Sequence, residues 1–321
     1  MRLTGDMSVS VIIPCYNVRD YVADTLNSLL RQTHPDWNAI VIDDGSTDGT
    51  AELVRDFTDP RIRLVRQANQ GVSAARNHGV DLADGGSILF LDADDWLAPE
   101  ALARMTATLA SSRAQAVYGA FCFVTEDGSR VVSRKPGPFP EGDIIERLLV
   151  ENLFANGGHL LISASAIRQI GLFRADLRFG EDWEYWCRLA ASGTIATVAG
   201  PEPLLFVRQR GSGAYLRMAT DPEAFTPCTQ AIFDNPALRV RFGVERLPAL
   251  RRRTDAENGW IVGRELVRHG RREAGLRALR RSFTRRPLPK RAILLLIAHI
   301  LPILPESAAR RIAGPFRRYA A

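Results

Sequence analysis

Cysteine is scarce and scattered. The four residues, at 15, 122, 187 and 228, share no CxxC spacing. That argues against a zinc site or a disulfide framework and fits a reducing compartment. None of the five histidines has HExxH or other ligand spacing, and His159 is expected to be structural. The apolar stretch Ala292 to Leu304 (AILLLIAHILPIL) is 13 residues without a formal charge. It is too short for a hydrocarbon layer of ~30 Å, which needs ~20 residues, and Pro302 shortens any helix further. No apolar leader precedes the strand-like sequence at residue 9, so secretion is not expected. There is no internal repeat.

What is present is a chain of 321 residues, 46% hydrophobic and 24% charged. That is enough for one large α/β domain or two smaller ones with a substantial core. The net charge of +6 conceals an asymmetry: from Arg251 onward there are 18 Lys+Arg against 5 Asp+Glu, whereas the first 250 residues hold 24 and 31. An acidic body with a basic tail suggests two jobs, because anionic surfaces attract only the tail.

Val9 to Ile13 reads as a strand ended by Pro14, and Asp20 opens a helical stretch with Val22, Leu26 and Leu29 at helical spacing. Ala39 to Ile42 is a second strand, stopped by DDGSTDGT. Leu53, Val54 and Phe57 mark a short helix, and Ile62 to Val65 a third strand. GVSAARNHGVDLA is a helix leading into the fourth strand, SILFL. Strands that are apolar throughout and alternate with helices predict a mostly parallel sheet covered on both faces. Such sheets bind ligands at the carboxyl ends of their strands, and PCYN, DDGS and DADD each fall at such an end. Further on, residues 116–133 predict two strands around Asp127-Gly128, Ile144 to Leu153 an amphipathic helix, and FGEDWEYWCRLAASG a loop turning into a helix. From about residue 250 the chain is helical and rich in arginine.

The DADD cluster packs like charges at the end of an apolar strand, where they raise one another's pKa unless a cation sits between them. In extended backbone Asp92 and Asp94 project to the same side. Hard oxygen ligands there suit Mg²⁺ or Mn²⁺ held by one or two carboxylates plus substrate phosphates. The alternative is a solvated turn in which Asp95 caps the next helix. In DDGSTDGT a carboxylate can accept a base N–H or bind a ribose hydroxyl, or Ser46 or Thr47 can simply cap a helix. Tyr16 can stack on a base or form part of the rim. Arg76, in the first turns of a helix, can meet a diphosphate or pair with an acidic cluster. Glu181 and Asp182 precede a helix whose Trp183, Trp186, Leu189 and Ala190 form an apolar stripe, expected in the core, with a ligand-stacking surface as the alternative. An acid there is a cap, or a general base if it shares a pocket with the metal.

In this order the clusters resemble the family 2 glycosyltransferases, inverting enzymes with the GT-A fold. The likeness runs through VSVIIPCYN, VIDDGSTDGT, NQGVSAARNHG, FLDADDWL and GEDWEYWCRL, about residues 8–210. It implies a Rossmann-like, mostly parallel mixed α/β sheet with a helical basic C-terminal extension, a nucleoside-diphosphate sugar donor, and Mn²⁺ or Mg²⁺. By resemblance Pro14 and Tyr16 lie at the base-binding strand end. Asp44 reads uracil or thymine, with Asp43 close by, and Arg76 lies near the nucleotide. Asp92 approaches the ribose and metal, and Asp94 binds the metal, with Asp95 as the alternative ligand. Asp182 is the catalytic base and Glu181 its support, while Arg188 matches a recurring arginine of the helix that follows. LLFVRQRGSGA carries Val207 where the family usually has an aromatic, which leaves Arg208 and Arg210 without an assigned role.

The expected organisation is a nucleotide-sugar-binding half (1–100), an acceptor-binding half (101–215) and a helical basic region (216–321). The expected reaction moves a sugar, from UDP by resemblance, to a hydroxyl of a glycan or lipid-linked acceptor in cell-surface polysaccharide synthesis. The basic tail predicts attachment to an anionic membrane surface, on the cytoplasmic face of the inner membrane, the alternative being a buried C-terminal helix with a solvated basic face. Two rival classes are a sugar nucleotidyltransferase, for which PCYNVRD lacks the expected glycine-rich loop, and a non-catalytic membrane- or nucleic-acid-binding module. The tail lacks the interleaved aromatics that would favour nucleic acid.

Overall fold

The computed structural model describes residues 7–154, 159–210 and 223–300. They divide into two compact units, one running to Leu148 and again from Asn152 to Gln209, the other comprising Leu149–Glu151 and the chain from Arg210.

The first unit opens with β1 (Val9–Cys15), α1 (Arg19–Leu30), β2 (Trp37–Asp43), α2 (Thr50–Arg55), β3 (Ile62–Arg66), α3 (Val72–Leu82) and β4 (Ser87–Phe90). There follow β5 (Trp96–Leu97), α4 (Ala101–Ser111), β6 (Ala116–Tyr118), β7 (Phe121–Val124), β8 (Val131–Lys135), α5 (Ile145–Val150), β9 (Leu161–Ser163), α6 (Ala164–Ile170), α7 (Glu181–Ser192), β10 (Ile195–Thr197) and β11 (Leu205–Arg208). Seven strands form a mixed sheet in the order β10-β6-β9-β4-β1-β2-β3. β1 runs parallel to both β2 and β4, while β9 is antiparallel to both its neighbours. Strand β1 is central and covered on both faces, which is why it is apolar at nearly every position: Val9, Val11, Ile12 and Ile13 are fully buried. Helix α3 lies so close to it that a Cβ built on Gly79 would stand 2.3 Å from Ile12 Cγ2.

A second sheet, β5-β11-β7-β8, contains the hairpin around Asp127-Gly128. Residues 116–135 thus make three strands rather than the two expected. The chain leaves the large sheet after Tyr118 and enters the small one at Phe121, a break that apolar continuity across Gly119-Ala120 conceals. The helix expected at Ile144 to Leu153 is shorter, ending at Val150.

The second unit is helical: α8 (Thr226–Phe233), α9 (Pro236–Arg268), α10 (Arg272–Arg285) and α11 (Pro289–Ile300). Gly243 interrupts α9 with non-helical backbone. Trp260, Leu276, Leu279 and Leu295 form its small core. Buried Arg291 lies over the Trp260 ring, 5.0 Å from its centroid, and pairs with Glu257. On α11 Ile293 is 53% and Leu296 61% exposed, and Arg277, Arg280, Arg281, Arg285 and Lys290 are exposed along α10 and the start of α11. Among the described residues no helix is long and apolar enough to cross a membrane.

Candidate active site

Three strand ends and two helix starts converge in the first unit. β1 carries Pro14 within its last residues, followed by exposed Tyr16 (52%) and by Asn17 in a left-handed conformation. At the end of β2, buried Asp43 accepts the Ser46 N–H (3.2 Å) and pairs with Arg66 Nε (2.8 Å), which pins the DDGS turn. Asp44, also buried, gathers the loop ahead of α3. Its carboxylate accepts Gln67 Nε2 (2.8 Å), Gln70 N–H (2.9 Å) and Gly71 N–H (2.8 Å). Neither Ser46 nor Thr47 caps α2, whose N-cap is Gly49. Instead Asp48 accepts the Thr50 N–H, and Ser46 Oγ accepts that of Asn17.

Beyond β4 the DADD segment is not extended. Asp95 N–H donates to Asp92 O (3.1 Å), so residues 92–95 form a turn, and Asp92 and Asp94 both lie half-buried on it. Asp95 is buried and is not the cap of the next helix, whose N-cap is Glu100. Helix α4 starts six residues later, and Asp95 Oδ1 accepts the Arg208 N–H across the small sheet (2.8 Å).

Arg76 joins the turn to the other acidic cluster. It is 3% exposed, donating from Nη2 to Asp92 Oδ1 (3.0 Å) and from Nη1 to Glu181 Oε1 (3.1 Å), with its guanidinium 5.3 Å from the Phe173 ring centroid. Burial works against its charge, but Asp92, Glu181 and Asp182 outweigh burial and raise its pKa. Among the described residues its Nε has no hydrogen-bond partner. The protein's own guanidinium therefore meets one of the crowded carboxylates.

Glu181 and Asp182 occupy the first turn of α7, where the helix dipole favours negative charge, behind an N-cap glycine. Asp182 Oδ1 accepts the Trp183 N–H at 2.6 Å. Desolvation first, and then the charge of Glu181, lift its pKa to about 7, against the opposing pull of Arg76 and that N–H. A carboxylate poised there can accept a proton near neutrality. Trp183 and Trp186 of the same helix are buried, as the core reading of their stripe expects. Arg188 forks onto Glu184 and onto the carbonyls of Ile170 and Leu172, and so fixes the approach to α7. His159 is structural: Nε2 lies 2.8 Å from Gly119 O, and burial lowers its pKa to about 4.

The structure thus brings Arg76, Asp92, Glu181 and Asp182 together. It sets Asp94 on the same turn as Asp92 and lines Pro14, Tyr16, Asp43 and Asp44 along the neighbouring strand ends. Among the described residues no three His, Cys, Asp or Glu side chains are gathered into a metal cage. Two half-buried carboxylates on one turn do suit a hard divalent ion that takes its remaining ligands from phosphate and water. The local field is negative enough that, after burial, the charges of Asp43, Asp94 and Asp48 push the Cys15 thiol up. Asp92 and Asp94 fit such an ion, and Asp95, turned toward β11, fits it less well. The sequence offered no sign of Arg66, Gln67 and the Gln70–Gly71 amides as partners of the DDGS carboxylates, since none carries a motif. It flagged Arg208 without assigning it a partner.

Comparison with known proteins gives these clusters a family. Residues 10–171 match the sequence profile of Glycosyl transferase family 2, and the chain belongs to that family. Its fold is GT-A. Over 124 residues it is 36% identical to the putative teichuronic acid biosynthesis glycosyltransferase TuaG of Bacillus subtilis (strain 168), a match covering 38% of this chain and 49% of TuaG. The chain thus spans about half the length of that relative. In structure it is similar to S. aureus TarS 1–349 in complex with UDP (TM-score 0.58, 19% identity, 92% of this chain and 80% of that one). It is also similar to the mannosyltransferase PcManGT of Pyrobaculum calidifontis in complex with GDP-Man and Mn²⁺ (TM-score 0.60, 20% identity, 95% and 83%).

Proposed function

We propose that this chain is an inverting glycosyltransferase that moves a sugar from a nucleoside-diphosphate donor, UDP in the first instance, to a hydroxyl of a glycan or lipid-linked acceptor. The observation that carries the reading is the Arg76 bridge, which ties Glu181, the neighbour of Asp182 at the start of α7, to Asp92 in the acidic turn after β4. Asp182 takes the acceptor hydroxyl proton as that oxygen bonds to the anomeric carbon, and the bond from that carbon to the diphosphate oxygen breaks on the opposite face. Arg76 stabilises the charge gathering on the leaving diphosphate, and Glu181 keeps Arg76 in place and Asp182 basic. Asp92 and Asp94 would hold Mn²⁺ or Mg²⁺, which when bound supplies Lewis-acid neutralisation of the same diphosphate. Asp44, with Asp43 behind it and Pro14 and Tyr16 alongside, would receive the base. In this reading residues 1–100 bind the donor and 101–215 the acceptor.

The complexes of TarS with UDP and of PcManGT with GDP-Man and Mn²⁺ support a nucleotide donor and a divalent ion, and the name of TuaG supports a cell-surface polysaccharide product. The test is calorimetric binding of UDP, dTDP, GDP and CMP, each with and without Mn²⁺, to the wild type and to Asp94→Ala. Metal-dependent binding of one nucleotide, lost in the variant, is the expected result. Binding of none by the folded protein would overturn the reading.

The basic C-terminal region, residues 216–321, of which 216–222 and 301–321 lie outside the described residues, is proposed to attach the enzyme to an anionic lipid surface on the cytoplasmic face of the inner membrane. Leu288, Ile293 and Leu296 are exposed beside the arginines of α10, so shallow apolar insertion and charge attraction add. The full chain should sediment with anionic vesicles at moderate salt, and the Ile293→Ser/Leu296→Ser double variant should stay in the supernatant. A wild-type chain left in the supernatant would remove this part of the reading.

A further inference from the structure

Arg208, at the end of β11, makes contacts that its sequence context does not announce. Its side chain is 3% exposed. Nε donates to Asp94 O (2.9 Å), Nη1 to Glu126 O (2.6 Å) and Nη2 to Asp24 Oδ2 (2.6 Å), while its backbone N–H donates to Asp95 Oδ1 (2.8 Å). The rings of Tyr21 and Trp96 lie against the guanidinium, with centroids 5.1 and 4.9 Å away. Tyr21 is itself anchored through its hydroxyl to Glu126 Oε1 (3.0 Å). Gly128, with positive φ at the hairpin tip, admits this packing. A Cβ there would stand 3.2 Å from the Trp96 ring and 3.3 Å from Arg208 Nη1.

Desolvating a guanidinium is costly unless its donors are matched, and here each nitrogen has an acceptor. Those acceptors lie on three separate pieces of chain: the 92–95 turn, helix α1 and the β7–β8 hairpin. Within the turn the one backbone bond is Asp95 N–H to Asp92 O. The arginine holds the turn from outside, at the carbonyl of Asp94 and the carboxylate of Asp95.

We propose that Arg208 is a positioning residue that sets the conformation of the 92–95 turn, and through it the presentation of Asp94 to a divalent ion bound with the donor diphosphate. The inference rests on the proposed reading of that turn as the ion and diphosphate site. Asp24, 61% exposed, is the outer end of the same chain of contacts. As a positioning residue Arg208 acts on the turn, through the carbonyl of Asp94 and the carboxylate of Asp95. Lysine keeps the charge but reaches one acceptor where the planar fork reaches three.

Calorimetry on the full chain tests this, with UDP titrated in EDTA and again in Mn²⁺, for the wild type, Arg208→Met, Arg208→Lys and Asp24→Asn. The expected result for Arg208→Met is a loss of about 10- to 100-fold in the Mn²⁺-dependent part of the affinity, the range seen when groups orienting a metal ligand are removed. Binding in EDTA should change by less than about twofold in the same variant, a split that a general loss of stability would not produce. Arg208→Lys should fall between wild type and Arg208→Met. Asp24→Asn, a change at the surface, should show the same split on a smaller scale. It decides the matter if Arg208→Met does not fold. An unchanged Mn²⁺-dependent part in the folded variants would overturn the role of Arg208 while leaving the turn as the ion site. Equal losses in EDTA and in Mn²⁺ would also overturn it, as the mark of a structural residue. A wild type that binds UDP equally with and without Mn²⁺ would overturn the reading of the turn itself, and this inference with it.

Discussion

Removing the charge of Glu181 should change how activity depends on pH in one direction only. Asp182 titrates at about 7 in the free protein, so kcat/KM should fall tenfold per pH unit below that point, and at pH 6 only about a tenth of the molecules carry the base. After desolvation the largest cause of the raised value is the neighbouring charge of Glu181. A close like charge is worth about one to two pKa units, and each unit about 1.4 kcal/mol. Glu181→Gln deletes that charge but keeps an oxygen that can accept from Arg76 Nη1. Arg76 then acts on Asp182 with less opposition, and the acid limb should move down by about one to two units. Asp182→Asn, lacking a base, should lose about 10²- to 10⁴-fold in rate. The assay is initial release of nucleoside diphosphate at subsaturating substrate between pH 5 and 8.5. A limb that stays in place in Glu181→Gln, or an Asp182→Asn variant that keeps its rate, would refute the assignment of Asp182 as the base.

Three further expectations follow from the first unit. Gly79→Ala would ordinarily favour a helix, but its Cβ would meet Ile12 Cγ2 at 2.3 Å, so urea unfolding should show a loss of about 1–3 kcal/mol, partly restored by Ile12→Val. His159 titrates at about 4 when folded against 6.5 when unfolded, so the unfolded chain takes up the proton first. The contribution of His159 to stability should therefore be full above pH 6.5 and fall by about 3 kcal/mol as pH drops to 4, read in thermal melts as the pH-dependent difference between the wild type and His159→Gln. Asp44→Asn, which cannot accept all three donors of the 67–71 loop, should cost about 2 kcal/mol and weaken nucleotide binding in calorimetry, while an unchanged affinity would separate Asp44 from the base site.

What the sequence alone determined was everything carried by local pattern. Apolar runs broken by PCYN, DDGS and DADD located β1, β2 and β4 and the end at which their polar clusters lie, because a strand covered on both faces can be polar only where it emerges. GEDWEYW located a helix start with two acids over a buried aromatic stripe, because period and dipole both act within a turn or two. What only the tertiary structure decided was which charge answers which. Arg76 and Glu181 are 105 residues apart in the chain, and Arg208 and Asp94 are 114 apart. No local rule pairs them. The DADD acids looked like an unbalanced cluster, and the fold supplies one buried arginine to Asp92 and another to the backbone of Asp94. The same distance misled the reading of Asp95, which has the composition of a helix cap but is claimed by β11. Ion pairs of this kind form only when burial removes competing water and brings distant strand ends and helix starts together, so their partners are fixed by packing and not by sequence neighbours.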